Sequence, residues 1–556
     1  MGAARADRRA LRRPLDGATG FPAVSLGASV TVGPVPLASP SYPRSRAVVR
    51  LTAGALGLAL VLAGCTVAPK HQVGRDSTPT AAATSAAAGD VPADVAPFYQ
   101  QVVSWTKCGE FDCAKVKAPL DWDKPTAGSI DLSLKRFAAK KQDQRLGSLL
   151  INPGGPGASG TDLVDHAATA FGAPVRDVYD LVGFDPRGVG ASSAVACGPD
   201  KQVDAYLTAD DPLTNQAQLD AARAKTRAFG KQCQANTGPL LAHVDTVSAA
   251  KDMDLMRGVL GDKKLNYVGF SYGTFLGATY AGLFPKNVGR VVLDGAIDPA
   301  LDNDTLAKEQ AAGFEQALRS YVADCEAGPK CPLTGGVGGG LAQISRLMKQ
   351  AEASPLPTAN GERVNSTLAF LGVAVTLYDQ ASWPYLTLAL TGAIRNNDAT
   401  TLLQLANFYL DRNDNGTYTS NSNLAFLAIN CLDYPVISRN IGELNTFAAK
   451  VRKDAPTFGD QFVYSAGCEA WPILSTVVRG PIHAPGSAPI LVVGTTGDPA
   501  TPYKWAVSLA GQLDSGHLLT YVGQGHTAYT RSNSCVDNAV NAFLVSGTVP
   551  AEGKRC

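Results

Sequence analysis

Ser271 stands in Gly269-Phe270-Ser271-Tyr272-Gly273, between an apolar run, Leu265-Asn266-Tyr267-Val268, and a helix-like one beginning at Thr274. This is G-x-S-x-G at a strand-to-helix turn, the setting of a nucleophile elbow. Side chains would crowd so tight a turn, and the flanking glycines relieve it. A serine hydroxyl is a poor nucleophile at its ordinary pKa and needs an adjacent base. Of six histidines, His71 lies in a small-residue tract and His166 and His243 precede the serine. His483 precedes the next-to-last apolar run and His517 opens the last one. His526, in Gly523-Gln524-Gly525-His526, lies just beyond that last run. Loops at the carboxyl ends of parallel strands are where such sheets build their sites.

The base needs an acid to hold its tautomer and stabilise the imidazolium. Asp498, in Thr495-Thr496-Gly497-Asp498-Pro499, gives the chain order serine, acid, histidine. Asp294, ending the apolar run 288–294, is the rival, and would otherwise cap a turn. Two backbone N–H groups must meet the oxyanion of an acyl-transfer intermediate. Tyr272 supplies one, and Gly155 in Pro153-Gly154-Gly155-Pro156-Gly157 is the expected second. A glycine loop can also cradle phosphate, but the lysine of a P-loop is missing.

The elements that must hold these residues alternate. Strand-like runs at 130–137, 147–152, 179–185, 265–268 and 288–294 are interleaved with helical patterns, including one at about 246–260 capped by Asp245 or Thr246. That alternation predicts a mainly parallel sheet covered by helices on both faces. From about 300 to 424 strand runs give way to helices broken by Pro and Gly. Strand signals resume at 488–494 and 517–522, so the insertion reads as a helical cap on one fold, with an independent helical domain as the alternative. The expected organisation is a signal region at 1–64, a tether at 65–96, a core at 97–299, the cap at 300–424 and the rest of the core at 425–556.

With 45% hydrophobic and 17% charged residues in 556, the chain has material for a large core. Eight arginines stand against Asp7 and Asp16 in the first 64 residues, leaving 41 basic and 46 acidic side chains beyond them. No basic tract interleaved with aromatics occurs there, which argues against nucleic-acid binding. Arg44, Arg46 and Arg50 precede a 14-residue apolar stretch, 51–64. A membrane span needs ~20 residues, so this reads as a signal-peptide core. Leu62-Ala63-Gly64-Cys65 resembles the lipobox of bacterial lipoproteins, which implies a lipid anchor at Cys65, export and a cell-membrane or secreted location; an ordinary cleavage site is the alternative. Residues 66–95, rich in Ala, Thr, Pro, Ser and Gly, read as a flexible tether.

Without Cys65, ten cysteines remain, an even set that suits disulfides in an exported chain. Sequence neighbours suggest pairs 108–113, 197–233, 325–331, 431–468 and 535–556. With no C-x-x-C and no histidine at ligand spacing from a cysteine, no metal is expected.

The glycine loop 153–157, Gly183-Phe184-Asp185-Pro186-Arg187-Gly188-Val189-Gly190, the elbow at 269–274 and Gly497-Asp498-Pro499-Ala500-Thr501-Pro502 resemble the exported tripeptidyl-aminopeptidase group. Trp105, Cys108, Cys113 and Pro119-Leu120-Asp121-Trp122 resemble its amino-terminal pattern, and Cys535 and Cys556 its carboxyl-terminal one. The group belongs to the proline-iminopeptidase branch of the α/β-hydrolases. The resemblance spans about residues 100–556 and implies an α/β-hydrolase fold with a helical cap. It also implies Ser271, Asp498 and His526 as triad, no metal or cofactor, and release of short peptides, tripeptides included, from free N-termini. Asn152 stands where some relatives of this branch have His.

An aminopeptidase must hold an α-ammonium, which a carboxylate under the cap can do. Asp433 and Glu469, beside the paired Cys431 and Cys468, are the candidates. The same triad would serve a carboxylesterase or lipase acting on acyl esters, and a non-catalytic binding lipoprotein is a third reading.

Overall fold

The computed structural model describes residues 91–556 apart from 212, 436 and 464–467. The lipobox with Cys65 and nearly all of the tether lie outside the described residues. Seven strands precede the insertion: β1 (Thr106–Cys108), β2 (Phe111–Pro119), β3 (Ser129–Phe137), β4 (Gly147–Asn152), β5 (Tyr179–Phe184), β6 (Leu265–Phe270) and β7 (Val288–Asp294). A two-stranded hairpin, β8 (Leu356–Pro357) and β9 (Arg363–Val364), sits among the helices that follow. β10 (Ile490–Gly497) and β11 (Gly516–Gln524) complete the main sheet, whose order is β1-β2-β3-β5-β4-β6-β7-β10-β11.

β1, β2, β3 and β5 pair antiparallel in turn, and every pairing from β5 to β11 is parallel. All residues of β4 and β5 are buried, as strands covered on both faces must be. Leu149 and Ile151 join a core with Val536, Val540 and Phe543 of helix Ser534–Ser546. Leu150, from the opposite face of the same strand, joins Met253, Leu255 and Met256 of helix Thr246–Val259. Asp245 caps that helix, accepting from the Ser248 N–H at 2.8 Å.

The insertion is helical, as its pattern predicts, but runs further than 424. Residues 422–433 form one helix, Ser422–Asp433, and another spans Ile441–Asp454. The expected boundary therefore cuts through a helix. Ala425-Phe426-Leu427-Ala428-Ile429 is a short apolar run, which periodicity alone cannot assign to strand or helix. β10 pairs directly with β7, Val493 opposite Asp294, so strands on either side of the insertion are neighbours in one sheet.

The five disulfides join Cys108 to Cys113, Cys197 to Cys233, Cys325 to Cys331, Cys431 to Cys468 and Cys535 to Cys556, as sequence proximity suggests. The last residue is tied down twice: its disulfide joins it to helix Ser534–Ser546, and the Cys556 N–H donates to the Thr520 carbonyl of β11 at 2.8 Å. Among the described residues, no helix is long and apolar enough to cross a membrane.

Arg187 anchors the loop after β5 from within the core. Its guanidinium is fully buried and donates to both Asp252 oxygens, at 2.7 and 2.6 Å, and to the carbonyls of Leu120, His243 and Pro119. Truncating one partner of a buried pair strands the other charge. Arg187→Ala should lower stability by about 3–5 kcal/mol, read from urea unfolding.

Candidate active site

Ser271 follows β6 directly and caps helix Tyr272–Leu283 with φ 55° and ψ −122°. A non-glycine residue pays for that conformation, and such strain gathers at functional positions. The neighbouring chain holds it there. The Ser271 N–H donates to the Asp294 carbonyl at 2.9 Å, and the Tyr267 hydroxyl to the Gly273 carbonyl at 2.8 Å. A Cβ on Gly269 would lie 2.3 Å from the Gly273 carbonyl oxygen, so the elbow closes only around glycine.

The glycine loop after β4 packs on this elbow. Gly154, at φ 97°, comes so close that a Cβ there would sit 2.4 Å from the Phe270 carbonyl and 3.1 Å from the Tyr272 nitrogen. Its own N–H is given to Asn152 Oδ1 at 2.9 Å, while Pro156 has none to give. Gly155 lines the same two cavities as Ser271. Tyr272 is the first residue of its helix, where N–H groups lack intrahelical partners and the dipole favours negative charge.

His526 follows β11 and Asp498 follows β10, so parallel neighbours deliver both to one sheet end. His526 Nδ1 lies 2.9 Å from each Asp498 oxygen. The carboxylate also accepts from the Ala500 N–H at 2.9 Å, the Thr501 N–H at 2.8 Å and the Thr501 hydroxyl at 2.9 Å. These bonds fix its orientation and leave imidazole Nε2 as the reactive nitrogen. Nε2 is buried and has no hydrogen-bond partner, Ser271 included. Both residues line one cavity of about 1110 Å³. Nucleophile–base contacts are often loose until substrate is bound.

Asp294, the rival acid, makes no hydrogen bond to His526. Its carboxylate accepts from Ala528 N–H, at 3.1 and 3.0 Å, and from Tyr529 N–H at 2.8 Å. Burial pushes its pKa up to about 6, against the pull of those N–H groups and of His526. It thus holds the loop that carries the histidine, a turn-binding role.

The structure does not bring Asp433 or Glu469 to the site; neither lines either cavity. Glu469 is consumed by Arg223, which donates to it at 2.5 and 2.8 Å. Asp433 is buried at the start of helix Thr246–Val259, accepting from the Thr246 N–H at 2.9 Å and hydroxyl at 2.6 Å. The Thr246 hydroxyl in turn meets the Tyr272 hydroxyl. Burial raises the Asp433 pKa to about 7, the Thr246 bonds opposing it.

Of the cap residues that sequence alone did not single out, Tyr378 meets the base and Asp411 lines the cavity that Ser271 and His526 share. The Tyr378 carbonyl accepts from the His526 N–H at 2.8 Å, and its ring stands edge-on to the imidazole with centroids 5.4 Å apart. Asp411, at φ 55°, lines the larger cavity while one of its carboxylate oxygens accepts from the Ser420 and Ser422 hydroxyls at 2.5 and 2.9 Å. The turn-rich run Asp411-Arg412-Asn413-Asp414-Asn415-Gly416, just past an apolar helical stretch, is the sequence signal that could have flagged it. Among the described residues, no group of three His, Cys, Asp or Glu is placed to hold a metal ion.

Two outcomes check this geometry. Asp498→Asn should cut kcat by about 10⁴-fold with folding intact, by loss of the correct tautomer, whereas Asp294→Asn should mainly lower stability. The folded Asp433 carboxyl keeps its proton up to about pH 7, well above its ordinary value of 3.8. Its contribution to stability is complete below the unfolded pKa and is lost as pH rises through 7. Urea unfolding at about pH 4.5 and about pH 8, which span most of the interval between those values, should therefore show the native protein losing stability relative to Asp433→Asn as pH rises.

The family model described as TAP-like protein (Abhydrolase_4) matches residues 455–556, the stretch that carries Asp498 and His526. Serine protease Hip1 of Mycobacterium tuberculosis is 36% identical over 497 residues, covering 83% of this chain and 92% of its own. Carboxylesterase B of the same organism is 37% identical over 526 residues, 91% of this chain and 98% of that one. Tripeptidyl aminopeptidase of Streptomyces lividans is 29% identical over 531 residues, 92% and 97% of the two chains. With the elbow, the parallel sheet and the imidazole–carboxylate pair in place, the chain belongs to the tripeptidyl-aminopeptidase-like family of α/β-hydrolase serine enzymes.

Proposed function

We propose that the protein is a serine exopeptidase that releases short peptides, tripeptides among them, from free N-termini through an acyl-enzyme on Ser271. The observation that carries this is the Asp498–His526 pair, with its free Nε2, opening on the same cavity as the elbow serine. His526 Nε2 takes the proton from Ser271 Oγ as that oxygen attacks the substrate carbonyl carbon. The carbonyl oxygen becomes an oxyanion held by the N–H groups of Tyr272 and Gly155. When the tetrahedral species collapses, the C–N bond breaks and the leaving amine takes the proton from Nε2. Water then repeats the sequence on the ester, and the proton returns to Oγ.

Names of relatives support both a peptidase and an esterase. The peptidase reading is favoured by Asp411, a cap carboxylate on the substrate cavity. Its side chain is anchored by two serines yet only partly buried, which suits an incoming α-ammonium. A lipid anchor at Cys65 would hold this cavity outside the membrane, and we propose that location with it. Palmitate incorporation that Cys65→Ala does not abolish would refute the anchor.

Ser271→Ala should abolish fluorophosphonate labelling and lower peptide hydrolysis by about 10⁶-fold. Asp411→Asn should raise KM at least about tenfold for peptides with a free amino group, the scale of one charge-assisted bond, and leave N-acetylated peptides unaffected. Turnover of short acyl esters with no turnover of any peptide amide would reject the peptidase reading.

A further inference from the structure

Beside Ser271 the cap closes over a second, smaller space. Phe370, Ala374 and Tyr378 recur every four residues along and just beyond helix Ser366–Leu377, so they share one face, with Leu371 beside them. Phe314, from helix Asn303–Ala327, meets Tyr378 and Phe462 with ring centroids 5.6 Å apart in both cases, and Phe370 meets Phe462 at the same distance. These residues, with Tyr409 and Phe426, wall a chamber of about 140 Å³ that Ser271 and Gly155 also line.

The Gln310 and Thr501 side chains in the wall are already engaged. Gln310 Nε2 donates to the Ala500 carbonyl at 2.8 Å, and the Thr501 hydroxyl to Asp498 at 2.9 Å. The Tyr378 and Tyr409 rings lie against each other with centroids 6.4 Å apart. Among the described residues that line it, none is Asp, Glu, Lys, Arg or His. A charged side chain entering such a space would lose its water and find no partner. The volume is close to that of an apolar cavity, roughly 150 Å³, able to hold benzene.

Which part of a substrate enters follows from proton transfer. The leaving group must take its proton from His526. His526 lines the larger cavity but not the chamber. The leaving group therefore lies in the larger cavity, where Asp411 also awaits the α-ammonium, and the chamber is left for the side chain of the attacked residue.

We propose that this chamber selects the residue whose carbonyl is attacked, accepting an uncharged apolar side chain of leucine-to-phenylalanine size and refusing charged ones. Phe314, Phe370 and Leu371 are its specificity-determining residues. The inference rests on the peptidase reading, and the test separates the two. Peptide amides with a free N-terminus, identical except for Ala, Leu, Phe, Lys or Glu at the attacked residue, are compared by kcat/KM. Acetate, butyrate and hexanoate esters of one alcohol are run beside them.

Leu and Phe should exceed Ala by about 10- to 100-fold, the discrimination a few methylenes give, and exceed Lys and Glu by at least as much. Leu371→Trp, which fills the chamber, should bring the Leu-to-Ala ratio below one, with fluorophosphonate labelling of Ser271 reporting that the variant is folded. Peptide turnover that ignores the attacked residue, or prefers Lys or Glu, overturns the chamber assignment and leaves the peptidase reading standing. Inert peptides with ester rates rising from acetate to hexanoate reject the peptidase reading and keep the chamber as an apolar acyl pocket. Inert peptides with ester rates independent of chain length overturn both.

Discussion

Asp294 joins the two halves of the site through opposite ends of one residue. Its backbone carbonyl receives the Ser271 N–H, and its carboxylate receives the N–H groups of Ala528 and Tyr529, just past His526. The nucleophile's turn and the base's loop thus share one buried anchor at the end of β7. Both turns are strained. Ser271 and Thr527 have φ of 55° and 67°, values that residues with a Cβ adopt only when their surroundings insist. Burying a carboxyl to supply that insistence has a cost, visible in a pKa pushed up to about 6. The neighbouring N–H groups offset part of it, as buried charge requires.

The cap adds a third restraint. Tyr378 ends its helix with a carbonyl on the His526 N–H and a ring against the imidazole, and the same ring walls the inner chamber. Tyr378 therefore contributes both to the wall of the chamber and to the position of the imidazole.

Asp433 and Glu469 show why carboxylates chosen by sequence proximity miss a ligand site. The Cys431–Cys468 disulfide does bring their neighbourhoods together. Each acid, however, meets a donor more than 180 residues away in the chain: Thr246 for Asp433 and Arg223 for Glu469. An acid whose oxygens are already satisfied inside the protein is not available to a substrate, and nothing local in the sequence announces those partners. Asp411 keeps only serine hydroxyls and an open side, a difference of partners rather than of residue type.

What the chain declares unaided is what depends on local physics. Strand and helix periods, the glycines that let the elbow close and a histidine just past the last strand all follow from near-neighbour sterics and from the fixed place of loops in a parallel sheet. Proximity of cysteines likewise anticipated all five disulfides. The cap's extent was not legible, because a short apolar run such as 425–429 satisfies both periods. Chain order and family resemblance already favour Asp498 over Asp294, and the tertiary structure supplies the physical reason. Both end or follow adjacent strands, and the Asp498 carboxylate is the one within reach of Nδ1. Tertiary structure alone assembled the chamber, since Phe314, Phe370, Tyr409 and Phe462 come from four separate elements. Their convergence is a property of packing, which no stretch of sequence contains.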